Sequence, residues 1–244
     1  MDLEKAPKSL WYASNLGRSL VDAERERLSQ LLPELYGPIA LQVSRHRYPD
    51  MLEASEAILH VNIDDQLDEF GEGLQVPAIA EALPFDAKSI GLVLMPHVLE
   101  FTVDPHQVLR EASRVLVPEG HLVLLGFNPM SMWGLRSLVS GHGDGYPWNG
   151  RYYRLSRVKD WLQLLGFEMQ SGEMIYYRPP TASVKMNRRF LFLDKVGDRW
   201  WPMMAAVYIL IARKREYGIT PITPTWLKKK RLSPGLVEPV AKNS

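Results

Sequence analysis

The stretch from Leu83 to Pro129, LPFDAKSIGLVLMPHVLEFTVDPHQVLREASRVLVPEGHLVLLGFNP, constrains the fold of this chain more than any other. Ile90 to Met95 is a short apolar run, entered through Asp86-Ala87-Lys88-Ser89 and closed by Pro96, the pattern of a strand buried on both faces. His121 to Phe127 is a second such run. Between them Val108, Leu109, Ala112, Val115 and Leu116 recur at helical spacing behind Asp104-Pro105, so one helical face is apolar and Asp104 is placed to cap it. Pro118-Glu119-Gly120 stops that helix. Two strands joined through a helix by so short a link are expected to be parallel, with a right-handed crossover.

The flanks extend this unit. Leu16, Leu20, Leu28, Leu31 and Leu32, interleaved with charged residues, predict an amphipathic helix that packs on the sheet and ends near Pro33. Ile39–Val43, Ile58–Ile63 and Leu74–Ile79 are expected strands, the last an edge strand because Pro77 lies inside it. After the core unit, residues 130 to 139 and 158 to 165 have helical faces, Phe167 to Tyr177 is a sixth expected strand, and Ala205–Ala212 a seventh. The aromatics and arginines of Trp148 to Arg154 are expected to pack as a lid, with stacking on a flat substrate as the other reading. Residues 181 to 202 form a basic amphipathic segment with two tryptophans at its end, expected to cap a pocket within the chain or to lie on a membrane surface or partner. The expected organisation is therefore a helical segment over 1–36, one α/β domain over 37–215 with an insertion near 181–202, and a basic, disordered tail over 216–244.

Composition narrows the class. The 244 residues suffice for one sizeable α/β domain with additions. The absence of cysteine rules out a disulfide framework, a thiolate metal site and a cysteine nucleophile, and it fits a cytoplasmic setting. The longest apolar stretch, Met203 to Ala212, is about half of what a membrane-crossing helix needs. Six histidines and the carboxylates show no ligand spacing, so no metal is expected. Residues 51 to 87 carry acidic side chains such as Glu53, Asp64 and Glu72 and no Lys or Arg, whereas Arg213-Lys214-Arg215 and Lys228-Lys229-Lys230-Arg231 make the C-terminal end basic. Two solvated faces of opposite sign are the expected reading, and a nucleic-acid partner for the tail is the other.

The order LPF, apolar strand, DPxxxLRExxRVLxPxGxLVL and polar turn resembles the central half of a class I S-adenosylmethionine-dependent methyltransferase domain, type 11 in particular. That resemblance implies an α/β Rossmann-like fold: a mostly parallel seven-stranded sheet with helices on both faces and an antiparallel last strand. It also implies S-adenosyl-L-methionine as cofactor and methyl transfer to a nucleophilic O, N or C of an acceptor, small or macromolecular, that the sequence does not identify. Such chemistry rests on positioning and exclusion of water and requires no fixed catalytic triad. The positions matching the family's cofactor site are Gln42 and Ser44 after the first strand, Asn62 near the end of the second, Glu81, Ala82 and Leu83 before the fourth, and Pro96 and His97 after it. His97 is also a candidate general base, and Asn128, in the turn after the fifth strand, a candidate for orienting the acceptor.

Three positions depart from the family's pattern. Its glycine-rich turn is replaced by Ser44-Arg45-His46-Arg47-Tyr48, its ribose-binding acid by Asn62 and its adenine-binding acid by Ile79. Besides the methyltransferase, the sequence therefore supports a catalytically inactive scaffold or binding protein that kept the fold, or a nucleic-acid-binding module acting through its basic tail.

Overall fold

Burial on both faces makes Ile90–Pro96 (β4) the middle of the sheet, since all seven of its residues are buried. A computed structural model describes residues 11–35, 37–45, 48–65, 74–140 and 145–216 of the chain. Its strands are Ile39–Val43 (β1), Leu59–Asp64 (β2), Leu74–Pro77 (β3), β4, Leu116–Phe127 (β5), Phe167–Ile175 (β6) and Val207–Lys214 (β7), in the spatial order β3-β2-β1-β4-β5-β7-β6. β1 to β5 run parallel, and β7 inserts antiparallel between β5 and β6. This is the expected Rossmann-like sheet with its reversed last strand. β3 closes the edge at Pro77, where a missing N–H does no harm.

The helices are Asn15–Leu31 (α1), Pro105–Val115 (α2), Met132–Ser140 (α3), Leu155–Leu164 (α4), Val184–Arg189 (α5) and Leu191–Trp200 (α6). Asp104 caps α2 by accepting from the Gln107 N–H at 3.0 Å, as its place before Pro105 predicts. α2 and α4 cover one face of the sheet through Val108, Leu109, Ala112, Val158 and Leu162. On the opposite face α1 lays down Leu16, Leu20, Val21 and Leu28 beside Trp133 of α3. Among the described residues the only regular structure between β1 and β2 is a 3-10 turn at Leu52–Ala54, so α1 and the loop carrying Tyr48, Met51 and Leu52 cover that part of the sheet together.

Two elements differ from the sequence reading for local reasons. β5 begins at Leu116, before Pro118-Glu119-Gly120, because Leu116 already pairs with Ile90 and the proline turn is absorbed as a register shift with Glu119 at φ 65°. The 181–202 segment is two helices broken at Phe190 rather than one. The expected tail beyond Glu216, residues 141 to 144, and His46 and Arg47 lie outside the described residues.

Candidate functional site

In an open α/β sheet the ligand crevice lies at the carboxyl ends of the strands flanking the switch in strand order, here β1 and β4. Ser44 leaves β1 still attached to β2. Its N–H donates to the Ile63 carbonyl at 2.8 Å, and its hydroxyl lies 3.1 Å from both that carbonyl and the Asp64 carboxylate. Arg45 then crosses the crevice. Its Nη1 donates to the Phe101 carbonyl at 2.7 Å beyond β4, and its guanidinium lies 3.7 Å from Asp65 and 3.8 Å from Glu81. Glu81 is fixed from its other side by the Thr102 hydroxyl. The guanidinium thus links the ends of β1, β2 and β4 with the loop before β4.

Below this bridge, Gln42 and Asn62 hold the chain that follows β1. Gln42 Nε2 donates to the Pro49 carbonyl at 3.0 Å and its Oε1 accepts from the Met51 N–H at 2.9 Å. Asn62 Nδ2 donates to Asp50 at 2.9 Å, while its Oδ1 is buried without a hydrogen-bond partner among the described residues. Asp64, two residues on, ends β2 beside Ser44. Strand register thereby brings the Asp64 carboxylate to the Ser44 hydroxyl at the start of the β1 turn.

His97 leaves β4 in a left-handed conformation, φ 50°, which is uncommon for a residue with a Cβ. Its ring stacks on Phe127 with centroids 4.0 Å apart and is only 2% exposed. Nε2 lies 2.7 Å from Glu24, a fully buried carboxylate of α1, and the Tyr48 hydroxyl donates to the same carboxylate. Nδ1 faces Glu100 at 3.5 Å, too long for a good hydrogen bond, and Glu100 accepts instead from the Phe127 N–H at 2.6 Å. Burial pulls the His97 pKa down, but the charge of Glu24 and the contacts to Glu100 and Glu24 outweigh it and raise the pKa to about 9. Burial, and then the charge of Glu24, push the Tyr48 phenol well above its ordinary value. Around this pair Tyr12 bonds Tyr146 through their hydroxyls, and Tyr12 packs edge-on to Tyr48 at 5.0 Å.

The remaining candidates divide. Pro96 lies in the sheet opposite Leu125. The Ala82 and Leu83 N–H groups are used by the Ile79 carbonyl at 3.1 Å and the Glu111 carboxylate at 3.0 Å. Asn128 is buried, with its amide donating to the carbonyls of Met203 at 2.8 Å and Ala205 at 2.9 Å and its Oδ1 accepting from the Met130 N–H at 3.0 Å. The crevice therefore gathers Ser44, Asn62, Glu81 and His97, while Asn128 joins the start of α3 to the segment before β7. Sequence reasoning passed over Glu24. Its signal is a carboxylate at four-residue spacing between Leu20 and Leu28, in the middle of the apolar face of α1.

Fold and residues together place the chain in the methyltransferase-domain family, to which it belongs. Residues 49–124 match the family described as "Methyltransferase domain". YafS of Escherichia coli K12, described as an uncharacterized protein, is 33% identical over 204 residues, covering 84% of this chain and 80% of its own length. Among solved structures, a Thermotoga maritima S-adenosylmethionine-dependent methyltransferase, described as a possible histamine N-methyltransferase, superposes with a TM-score of 0.61 at 16% identity, over 84% of this chain and 93% of its own. One from Mesorhizobium loti gives 0.55 at 16% identity, over 80% and 100%. At such identities the likeness concerns the fold.

S-adenosylmethionine is the cofactor that this family implies, and the residues in its place do not fit it in this arrangement. No glycine frees backbone N–H groups at the β1 turn, because the Ser44 N–H is spent on β2. Glu24 joins Tyr48 and His97 by hydrogen bonds, and all three are buried beside the ends of β1 and β4, where the family resemblance expects the cofactor. The Arg45 guanidinium lies among the positions that would face ribose and adenine.

Proposed function

We propose that this chain uses the methyltransferase fold as a binding scaffold and that S-adenosylmethionine is not its resident ligand. One observation carries this reading: Glu24, from a helix outside the nucleotide-binding unit, bonds His97 and Tyr48 beside the ends of β1 and β4, and all three side chains are buried. Opening that place would strand a buried carboxylate and an imidazole held protonated by it, and an unpaired buried charge is costly. The packing of Phe127 on Trp133 and Tyr152, with ring centroids 5.7 and 5.0 Å apart, supports the same reading, since it lies on the His97 side of the crevice.

The finer reading that the family suggests, S-adenosylmethionine-dependent methyl transfer to an acceptor, is favoured by one feature, the Asp64 carboxylate at the end of β2. There it would accept the ribose hydroxyls once Arg45 had swung away, with the buried Asn62 Oδ1 beside it. Thermal unfolding separates the two readings. A cofactor present at about a hundred times its Kd adds about 2.7 kcal/mol to the folded state. With S-adenosylmethionine at about 1 mM, no rise in the unfolding midpoint is expected. A rise that Asp64→Ala abolishes would establish the methyltransferase reading instead.

A further inference from the structure

Among the described residues, the polar and ring contacts that hold α6 to the body of the protein come from one of its sides. Asp194 accepts from the Tyr177 N–H at 2.8 Å and from Arg178 Nε at 2.7 Å. Gly197 lets the helix lie directly on the Tyr177 ring, where a Cβ would come within 2.4 Å. The side chains turned away from these contacts are large and apolar: Phe192 is 54% exposed, Trp200 69%, Trp201 55% and Met203 65%. Asn128 brings a second apolar stretch alongside, because it bonds both the Met203 carbonyl and the Met130 N–H, and α3, which follows Met130, exposes Leu135, Leu138 and Val139. Lys185, Arg188, Arg189 and Arg199 are exposed on the same two short helices. The one carboxylate among their described side chains, Asp194, is turned inward onto Arg178.

We propose that the outer face of α5 and α6, with the turn at Met203 and the exposed side of α3, docks on an anionic lipid surface. Tryptophan and methionine enter the headgroup boundary while long basic side chains meet lipid phosphates, which is the chemistry of a helix lying in the plane of a membrane interface. Charge decides against a second copy as the occupant: a two-fold pairing would set Arg188, Arg189 and Arg199 of one chain against the same cations of the other. No helix among the described residues is long and apolar enough to cross a membrane, so contact would be made from one side. The proposal stands whether or not the crevice takes S-adenosylmethionine.

The test is co-sedimentation of the full chain with vesicles of phosphatidylglycerol and phosphatidylcholine and with vesicles of phosphatidylcholine alone, read together with tryptophan emission. Binding to the anionic vesicles is expected, with a blue shift and with loss as salt is raised. Trp200→Ser with Trp201→Ser, and separately Arg188→Glu with Arg189→Glu, should each weaken it by about tenfold or more. All four side chains are exposed, so the circular dichroism and melting temperature should not change, which separates lost docking from lost folding. Binding to neither vesicle, or binding untouched by both double substitutions, would overturn the proposal. A dimer in solution that Trp200→Ser with Trp201→Ser dissolves would assign the face to a second copy instead.

Discussion

Glu24 sits where an amphipathic helix should carry leucine, and its burial is tolerated because two partners meet it, His97 Nε2 at 2.7 Å and the Tyr48 hydroxyl. Removing the carboxylate in Glu24→Ala leaves the Tyr48 hydroxyl without its acceptor and His97 with only Glu100, at 3.5 Å, as a nearby anion, and about 3–5 kcal/mol of stability should be lost in urea unfolding, as when one member of a buried charged pair is deleted. A loss below about 1 kcal/mol would mean that water replaces the carboxylate and that the crevice is open. His97 gives the same network a pH signature. Its pKa is raised in the folded state, to about 9 from 6.5, so its stabilising contribution is full below about pH 6.5 and disappears as pH rises through about 9. Unfolding midpoints in urea should therefore fall over that window, and His97→Gln should flatten the fall. An unchanged slope in the variant would place the titration elsewhere. The sequence marks His97 as lying at the crevice because it follows an apolar strand ending at a proline. Its partner, 73 residues earlier, is set by how α1 packs on the sheet, and neither periodicity nor spacing shows that.

At the scale of elements, the strands were legible wherever both faces are buried, as in β4, where apolar residues run without interruption. Less legible was β2. Its exposed Leu59 and half-buried His60 blur the pattern, and its end at Asp64 rather than Ile63 shifts which side chain faces the β1 turn. The 181–202 segment has helical periodicity throughout, yet breaks at Phe190, whose N–H reaches back to both the Met186 and Asn187 carbonyls. The second of its helices depends on one small residue. In Gly197→Ala the new methyl would meet the buried Tyr177 ring, so α6 should lift from β6, and faster amide exchange confined to about residues 190–204 is the expected readout. Exchange unchanged there would show that Tyr177 can yield. Similarly, Asn128→Ala removes two hydrogen bonds from the α3 turn to the strand-entry segment and one within the turn, and about 2–3 kcal/mol should be lost on thermal unfolding, with no loss expected if water fills the site.

For the whole molecule, the resemblance carried by Leu83 to Pro129 was enough to specify the fold, a seven-stranded sheet with an antiparallel last strand. The charge asymmetry reads differently once folded. Arg213 and Arg215 close onto Glu168 at 2.9 and 2.7 Å, and Lys214 Nζ donates to the Leu116 carbonyl at 2.9 Å, so that the first of the two basic clusters is already partnered within the protein. What the fold does with its crevice could not be read from the best-matched stretch, because the decisive residues, Glu24, Arg45 and Tyr48, come from before it. On the reading proposed above, these side chains stand in place of the cofactor. Isothermal titration of the full chain with S-adenosylmethionine, repeated on Arg45→Ala, tests this most directly. We predict no saturable heat for the full chain up to about 1 mM ligand. Stoichiometric binding with a Kd below about 100 μM, lost in Asp64→Ala, would contradict it.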